Sequence, residues 1–368
     1  MYSLKTSRQL KRLESINRSP VYSHVSETLN GLETIRTRRR QQDFVEELYR
    51  YQDVHTQSYI MVLASARWLG VRMTFLTTFL ILAVALAAIV VSQDAGMYLL
   101  AATGYEKMKT VGYQKLSIDG DSERIGYVSF LLFQWMNNIF EKGSKGRIDE
   151  SDFEPLSREN TTEVFTNRLQ TCWNEEKAAT KGSEQRPQLW RSVIKMISLK
   201  DAMIIVLLYL ASLLWRLSRP LFLGYLVSSL VEAEPHKSFL LYGCVTAMGI
   251  CAVIGATAVH HHGYQCDMYG IGISSALKGL IYQKILMLNK TELLKFTTGR
   301  VIDLVTNDVQ RLEEHTVSWG VSALLDFFLL VTIIGVLLVY FVGWQSLMGV
   351  TCLFLLVPYF AELSYVSA

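Results

Sequence analysis

The chain has 368 residues, of which 50% are hydrophobic and only 19% are charged, a balance typical of proteins that lie partly in lipid. A net charge of +3, without an array of basic helices or aromatic stacking residues, excludes nucleic acid as the expected partner. The five cysteines occur singly and no C-x-x-C pair is present, so the sequence predicts neither a disulfide framework nor a zinc knuckle.

The first predicted element is a short amphipathic helix between Ser19 and Arg36. Ser19 is a favourable N-cap, Pro20 suits the first helical position, and apolar residues follow at intervals of three and four. The opposite face is polar, so we expect the apolar side to lie in a groove of a soluble partner. An ordinary surface helix is the alternative that this pattern leaves open.

Met73–Gln93 is the first predicted membrane span, because 21 residues without a charge can cross a hydrocarbon core of about 30 Å. The preceding residues 1–72 carry 12 Lys and Arg against 7 Asp and Glu, which predicts a cytosolic location. The acidic turn Glu232–Lys237 is predicted to lie outside, and this places residues 98–200 in the cytosol as well. One span cannot have both ends in the cytosol. Either Met73–Gln93 dips and returns, or the two parts of the chain are not in their native order.

Phe130–Phe140 is too short to span a bilayer, and its aromatic residues predict an interfacial helix that lies flat. Packing against membrane helices is compatible with that prediction.

The next predicted span, Ala202–Val231, contains two arginines. Arg216 and Arg219 are costly in lipid unless they face protein or water, so they are candidates for a cavity charge that attracts organic anions. Structural pairing with Asp326 is the alternative, and the sequence does not decide between the two.

Ser238–Val259 provides a further predicted span of 22 uncharged residues and ends at His260–His262. Consecutive helical residues point in different directions, so the three imidazoles are not expected to share a metal. His262 and Cys266 could supply only two ligands. We therefore predict no metal site.

A second amphipathic segment, Thr297–Val317, separates the spans. Valines at 301, 305 and 309 line one of its sides and polar residues line the others. A helix that leaves the bilayer, turns through such a piece and returns can carry movement between a cytosolic partner and the membrane. The last segment, Thr316–Ala361, holds one charge and is predicted to be a helical hairpin that turns at Val342–Gln345.

Several stretches resemble one family. "RQLKRLESINRSPVYSHVSETLNGLETIR", continuing to "SARWLGVRMTF", resembles the second transmembrane domain of ABC exporters of the multidrug-resistance-associated subfamily, from the end of its fourth helix into its fifth. "FLLFQWMNNIFEKGSKGRIDESDFEPL" resembles the cytosolic lasso that precedes the first transmembrane domain. "SRPLFLGYLV", "LKGLIYQKILMLNK" and "TTGRVIDLVTNDVQRLEE" resemble that domain's first span, second intracellular helix and first coupling helix.

The resemblance implies an all-α membrane protein with partial ABC type-1 exporter transmembrane domains and long intracellular helical extensions. Residues 1–97 would be a fragment of the second domain, 98–127 an unassigned junction, 128–200 the lasso-like segment, and 201–368 spans one to four of a truncated first domain. The order of the two domains would then be inverted. Such an order accounts for the conflict in topology.

The sequence contains no Gly-Lys dipeptide, and so no phosphate-binding P-loop, and no Gly-Gly dipeptide, and so no ABC signature loop. We therefore expect no catalytic residues and no ATP hydrolysis by this chain alone. ATP and Mg²⁺ are implied for missing nucleotide-binding domains. The resemblance implies the membrane-spanning part of an ATP-driven exporter of organic anions or conjugates, in the plasma membrane. A non-transporting, truncated or misjoined membrane fragment is the alternative, and a channel is a weaker one.

The resemblance also implies functional residues. Ser23–Ile35 and Gly299–Thr306 would be coupling helices that dock on nucleotide-binding domains, and Trp68 and Arg72 would bind substrate by stacking and by ion pairing. A belt tryptophan with a snorkelling arginine is the alternative for that pair. The coupling residues implied are Ser23, Glu27, Leu29, Leu32, Gly299, Arg300, Asp303 and Leu304.

Overall fold

The computed structural model describes residues 2–93, 127–181, 186–231, 238–288, 297–312, 325–349 and 351, and these are almost entirely helical. This confirms the predicted all-α class. The chain forms two compact units, Met1–Glu313 and Glu314–Ala368. Within the described residues, three helices are long and apolar enough to cross a membrane, namely Gln41–Ala87, Leu199–Ser228 and Leu240–Met287.

Two long helices form an antiparallel hairpin at the start of the chain, α1 (Tyr2–Thr37) and α2 (Gln41–Gln93). The predicted helix start at Ser19 is wrong, because α1 runs without interruption through Pro20. Pro20 has no amide hydrogen, so one backbone hydrogen bond of α1 is missing at this turn. Contacts with α2 stabilise the helix there. The Asn17 amide donates to Ser58 Oγ at 2.7 Å, and Val21 is 1% exposed.

The predicted span Met73–Gln93 is the second half of α2 and is continuously helical. A continuous helix of this length passes in one direction only, so the suggestion that this span dips and returns is wrong. Residues 98–126 of the predicted junction lie outside the described residues.

A strap of residues 127–148 crosses three helices. It contains α3 (Tyr127–Leu131), a 3₁₀ turn (Gln134–Met136) and α4 (Asn137–Lys145). The predicted single helix Phe130–Phe140 is therefore wrong in detail, because the chain breaks at Phe133, whose φ of 52° is left-handed. Phe133 packs on His261, and this contact fixes the break.

Four further helices of the first unit follow: α5 (Thr162–Ala179), α6 (Leu189–Met196), α7 (Leu199–Val231) and α8 (Ser238–Met287). Asp53 of α2 accepts hydrogen bonds from the amide of Thr162, at 2.7 Å, and from its hydroxyl, at 2.5 Å. This carboxylate satisfies one of the amide hydrogens that the first turn of α5 leaves unpaired. α7 and α8 contain the predicted spans Ala202–Val231 and Ser238–Val259.

A shorter helical segment follows α8. It comprises α9 (Thr298–Asp303), a π-helical turn (Leu304–Asp308) and α10 (Val309–Arg311). The Thr297 hydroxyl accepts a hydrogen bond from the amide of Arg300 and caps the start of α9.

The second unit has a π-helical turn (Asp326–Leu330) that leads into α11 (Val331–Val342). Gly343 then turns the chain with a φ of 94°, a conformation that glycine adopts readily. This position agrees with the predicted hairpin turn at Val342–Gln345. Most of the returning arm lies outside the described residues.

Candidate substrate cavity and coupling surface

A cavity of about 440 Å³ lies between α2, α7 and α8. Its size falls in the range of pockets that hold small organic ligands. Three threonines and two aliphatic residues of α2 form one wall, and a glycine of α8 allows Leu82 of α2 to approach closely. The lining residues are Thr74, Thr77, Thr78, Ile81, Leu82, Trp215, Arg219, Pro220, Leu223, Met248, Gly249 and Ala252.

Arg219 is the one charged side chain among the described residues that line this cavity. Its guanidinium carbon lies 5.3 Å from the centre of the Trp215 ring. Thr74 and Thr77 donate their hydroxyls to backbone carbonyls of their own helix, at 2.9 and 3.2 Å. The cavity therefore offers an anionic ligand a cation, an aromatic face and apolar walls.

The other predicted substrate residues occupy different places. Arg216 is partly buried and does not line the cavity, and Asp326 belongs to the second unit, so their pairing stays a prediction. Trp68 and Arg72 contact the strap. Sequence reasoning therefore identified a cavity residue in Arg219 but did not identify the threonines of α2, which carry no signal in the sequence.

Trp68 and Arg72 are held by one residue of the strap. Asn137 Oδ1 accepts hydrogen bonds from Trp68 Nε1 at 2.8 Å and from Arg72 Nη2 at 2.7 Å. The Arg72 guanidinium also lies 3.9 Å from the Trp68 ring, and Phe140 stacks on the same indole at 3.9 Å. The polar groups predicted to meet a substrate are thus already bonded within the chain.

Replacing Asn137 with alanine is expected to destabilise the chain by about 1–3 kcal/mol, because the buried indole N–H of Trp68 loses its acceptor. Asn138 is the matched control, since it is an exposed neighbour of the same residue type, and Asn138→Ala should change stability by less than about 0.5 kcal/mol. Thermal unfolding in detergent micelles measures both. Equal effects of the two substitutions would contradict the assigned role of Asn137.

The two predicted coupling elements pack into one apolar cluster. Val21, Val25 and Leu32 of α1 and Val305 of the segment after α8 are buried together with Tyr282 of α8. The prediction that the apolar side of residues 19–36 lies in a partner's groove is therefore wrong, because helices of this chain cover that side. The side of these two elements that remains exposed is mainly polar.

The implied coupling residues divide accordingly. Leu32 is 4% exposed and Leu29 is half-buried, whereas Leu304 is 41% exposed. The other implied residues are all exposed, namely Ser23, Glu27, Gly299, Arg300 and Asp303. Their docking role stays a prediction.

Polar contacts also connect these elements to α8. The Tyr282 hydroxyl lies 2.7 Å from Thr28 Oγ1 and 2.9 Å from His24 Nε2. Arg36 donates to the carbonyls of Ile285, at 2.9 Å, and Leu286, at 3.0 Å, at the end of α8. Sequence reasoning missed these contacts because the partners are about 250 residues apart.

The three consecutive histidines face different neighbours. Thr74 Oγ1 lies 3.4 Å from His260 Nε2, and His261 Nε2 donates to the carbonyl of Leu131 at 3.0 Å. His262 Nε2 lies 3.7 Å from Cys266 Sγ. In the described part of the chain, no group of three or more potential ligands could hold a metal.

These features define a multi-pass helical membrane protein with a side-chain-lined cavity and long helical extensions. The family model for the ABC transporter transmembrane region matches residues 1–100 and 202–361. The chain therefore belongs to this family, as the resemblance predicts.

Curated relatives place it near the multidrug-resistance-associated subfamily. ATP-binding cassette sub-family C member 4 is 29% identical in Mus musculus and 28% in Homo sapiens, each over 51% of this chain. A probable multidrug resistance-associated protein of Drosophila melanogaster is 49% identical over 18% of the chain, and a vacuolar heme ABC transmembrane exporter of Schizosaccharomyces pombe is 45% identical over 19%. The aligned region spans 14% of the length of the mouse and human proteins, and 5% of the other two.

Proposed function

We propose that this chain supplies membrane-spanning helices of an ATP-driven exporter and that amphipathic organic anions bind in the cavity between α2, α7 and α8. The observation that supports this proposal is the placement of Arg219 beside Trp215 in a cavity of about 440 Å³ whose other described lining residues are uncharged. An arginine that faces a cavity within a membrane span attracts anionic groups. One relative is named as a heme exporter, and heme is an aromatic molecule with two carboxylates.

The force for export would come from nucleotide-binding domains that contact the exposed residues around Glu27 and Asp303. We expect Mg²⁺ and ATP to bind those domains and not this chain itself. The sequence has no Gly-Lys dipeptide to hold phosphate, and no group of metal ligands occurs among its described residues. The proposed location is the plasma membrane, although one relative is named as vacuolar. The inverted order of the two matched regions and the lack of nucleotide-binding domains stay predictions.

Arg219→Gln is expected to weaken the binding of an organic anion by about tenfold to a hundredfold, because a charge-assisted hydrogen bond contributes about 1.5–3 kcal/mol. Fluorescence anisotropy of carboxyfluorescein, titrated with the chain in lipid nanodiscs, measures this affinity. A fully esterified, uncharged and non-fluorescent form of the dye should compete only weakly with carboxyfluorescein, for the original chain and for the variant alike.

Lys200→Gln serves as the control, because Lys200 is an exposed cation at the start of α7 and does not line the cavity. It should leave the affinity for carboxyfluorescein unchanged. Loss of binding in both variants, or tight binding of the ester by the original chain, would contradict the proposal.

A further inference from the structure

A row of cations lies on the first three turns of α1. Lys5, Arg8, Lys11 and Arg12 are all exposed. Within the described part of the chain, none of them forms an ion pair. Lys5, Arg8 and Arg12 follow one another at three and four positions, so they share one face of the helix.

The nearest carboxylate of α1 does not neutralise this face. Glu14 is 4% exposed and accepts hydrogen bonds from Arg18 Nε at 2.9 Å and from His55 Nε2 at 3.0 Å. Burial raises the pKa of this carboxyl, but the hydrogen bonds from His55 and Arg18 outweigh burial and hold the pKa below its usual value. Glu14 is therefore ionised and already paired within the protein.

The strap shows the depth at which the cations lie. Its helix α4 contacts Trp68 through Phe140 and, three residues later, Thr6 through Gly143. The start of α1 is therefore level with the part of α2 that immediately precedes the uncharged stretch beginning at Met73. Each residue of a helix rises about 1.5 Å, so Lys5 and Arg8 lie within about 10 Å of the hydrocarbon boundary. Headgroups occupy this zone, and long basic side chains reach toward it.

A second segment adds charge at the same place. Gln9 donates to the carbonyl of Gly146 at 3.2 Å and accepts from the amide of Ile148 at 3.3 Å, which holds the exposed Arg147 beside α1. Glu141 bonds to Lys145, and Asp152 bonds to Lys142 at 3.0 Å. Asp149 and Glu150 are exposed beside Arg147, but the exposed cations of α1 together with Arg147 outnumber them, so the surface has a net positive charge.

We propose that Lys5, Arg8, Arg12 and Arg147 form a surface that binds the headgroups of anionic phospholipids in the leaflet next to the strap. Charge complementarity supports this partner, because clustered Lys and Arg beside a membrane helix attract anionic lipids. The surface lies on the outside of α1 and does not share residues with the cavity. The inference is therefore independent of the proposed export of organic anions.

The test compares two triple substitutions in the full chain. In Lys5→Gln/Arg8→Gln/Arg12→Gln the surface loses three of its four cations, and in Arg38→Gln/Arg39→Gln/Arg40→Gln the same number of exposed charges is removed from the other end of the α1–α2 hairpin. The affinity for phosphatidylserine is measured with a fluorescent phosphatidylserine titrated into phosphatidylcholine nanodiscs that hold the chain. Three cations near an anionic surface account for roughly a hundredfold in affinity.

We expect the first variant to lose most of this affinity and the second to keep it, and we expect added salt to weaken binding by the original chain. Unchanged affinity in the first variant, or an equal loss in both, would overturn the proposal. Displacement of the lipid by soluble glycerophosphoserine at equal concentration would also overturn it, because the site would then recognise a free phosphate. Thermal unfolding of each variant shows whether a loss reflects misfolding.

Discussion

Removing Arg67 is expected to destabilise the first unit by about 2–3 kcal/mol, because it leaves a buried carboxylate without this cation. Arg67 of α2 bonds to Asp267 of α8 at 2.7 Å between Nη2 and Oδ2. The Asp267 side chain is 9% exposed, so in Arg67→Ala its carboxylate would stay buried without its cation. The Arg67 side chain is 27% exposed, so the loss of stability should be smaller than for a fully buried ion pair.

Two further variants separate the ion pair from general effects of charge. Arg50→Ala removes an arginine of the same helix whose side chain is 69% exposed and 3.5 Å from Glu47, and it should cost less than about 0.5 kcal/mol. The double variant Arg67→Met/Asp267→Asn should be more stable than Arg67→Ala, because the buried carboxylate is replaced by a neutral amide. Chemical unfolding in mixed micelles measures all three. If Arg50→Ala lowered the stability as much as Arg67→Ala, the stabilising role assigned to the Arg67–Asp267 ion pair would be contradicted.

The Arg67–Asp267 pair shows why part of the fold could not be predicted. The partners are 200 residues apart in a chain with 36 basic residues, and no periodicity connects them. The same limit explains why α1 begins at Tyr2 rather than at Ser19. The local signals for a helix start were favourable, but the cross-helix bond from Asn17 to Ser58 stabilises a longer helix.

The spans, by contrast, depend on local properties. An uncharged stretch of sufficient length identifies Met73–Gln93 and Ser238–Val259 as spans. The turn at Gly343 is identified by a glycine, which readily adopts the positive φ found there. For the candidate site, the sequence predicted Arg219 as an intramembrane arginine, and this residue is among those that line the cavity, while its role in binding stays a prediction. Whether Trp68 faces a cavity or a strap depends on where residues 127–148 pack, and this packing has no signature in the sequence around Trp68.

The close packing of α7 against α8 also determines the shape of the candidate site. A side chain added at Gly255 of α8 would place its Cβ 2.3 Å from the Cβ and 2.1 Å from the Cγ of Trp215. These atoms lie near the backbone of α7, so the clash cannot be relieved by moving the end of a flexible side chain. Trp215 lines the cavity beside Arg219, so any shift of α7 also changes the cavity wall.

Gly255→Ala is therefore expected to destabilise the protein by about 1–3 kcal/mol and to weaken binding of carboxyfluorescein. Gly243→Ala is the matched control in the same helix, because nothing lies within 4 Å of a Cβ added there. That control should be neutral or stabilising by about 0.5–1 kcal/mol, since alanine favours the helix over glycine. Thermal unfolding and dye titration in the same nanodiscs distinguish the two positions. If Gly255→Ala were as stable as Gly243→Ala and bound the dye normally, α7 and α8 could not be in the contact described, and the cavity wall would have to be assigned to other residues.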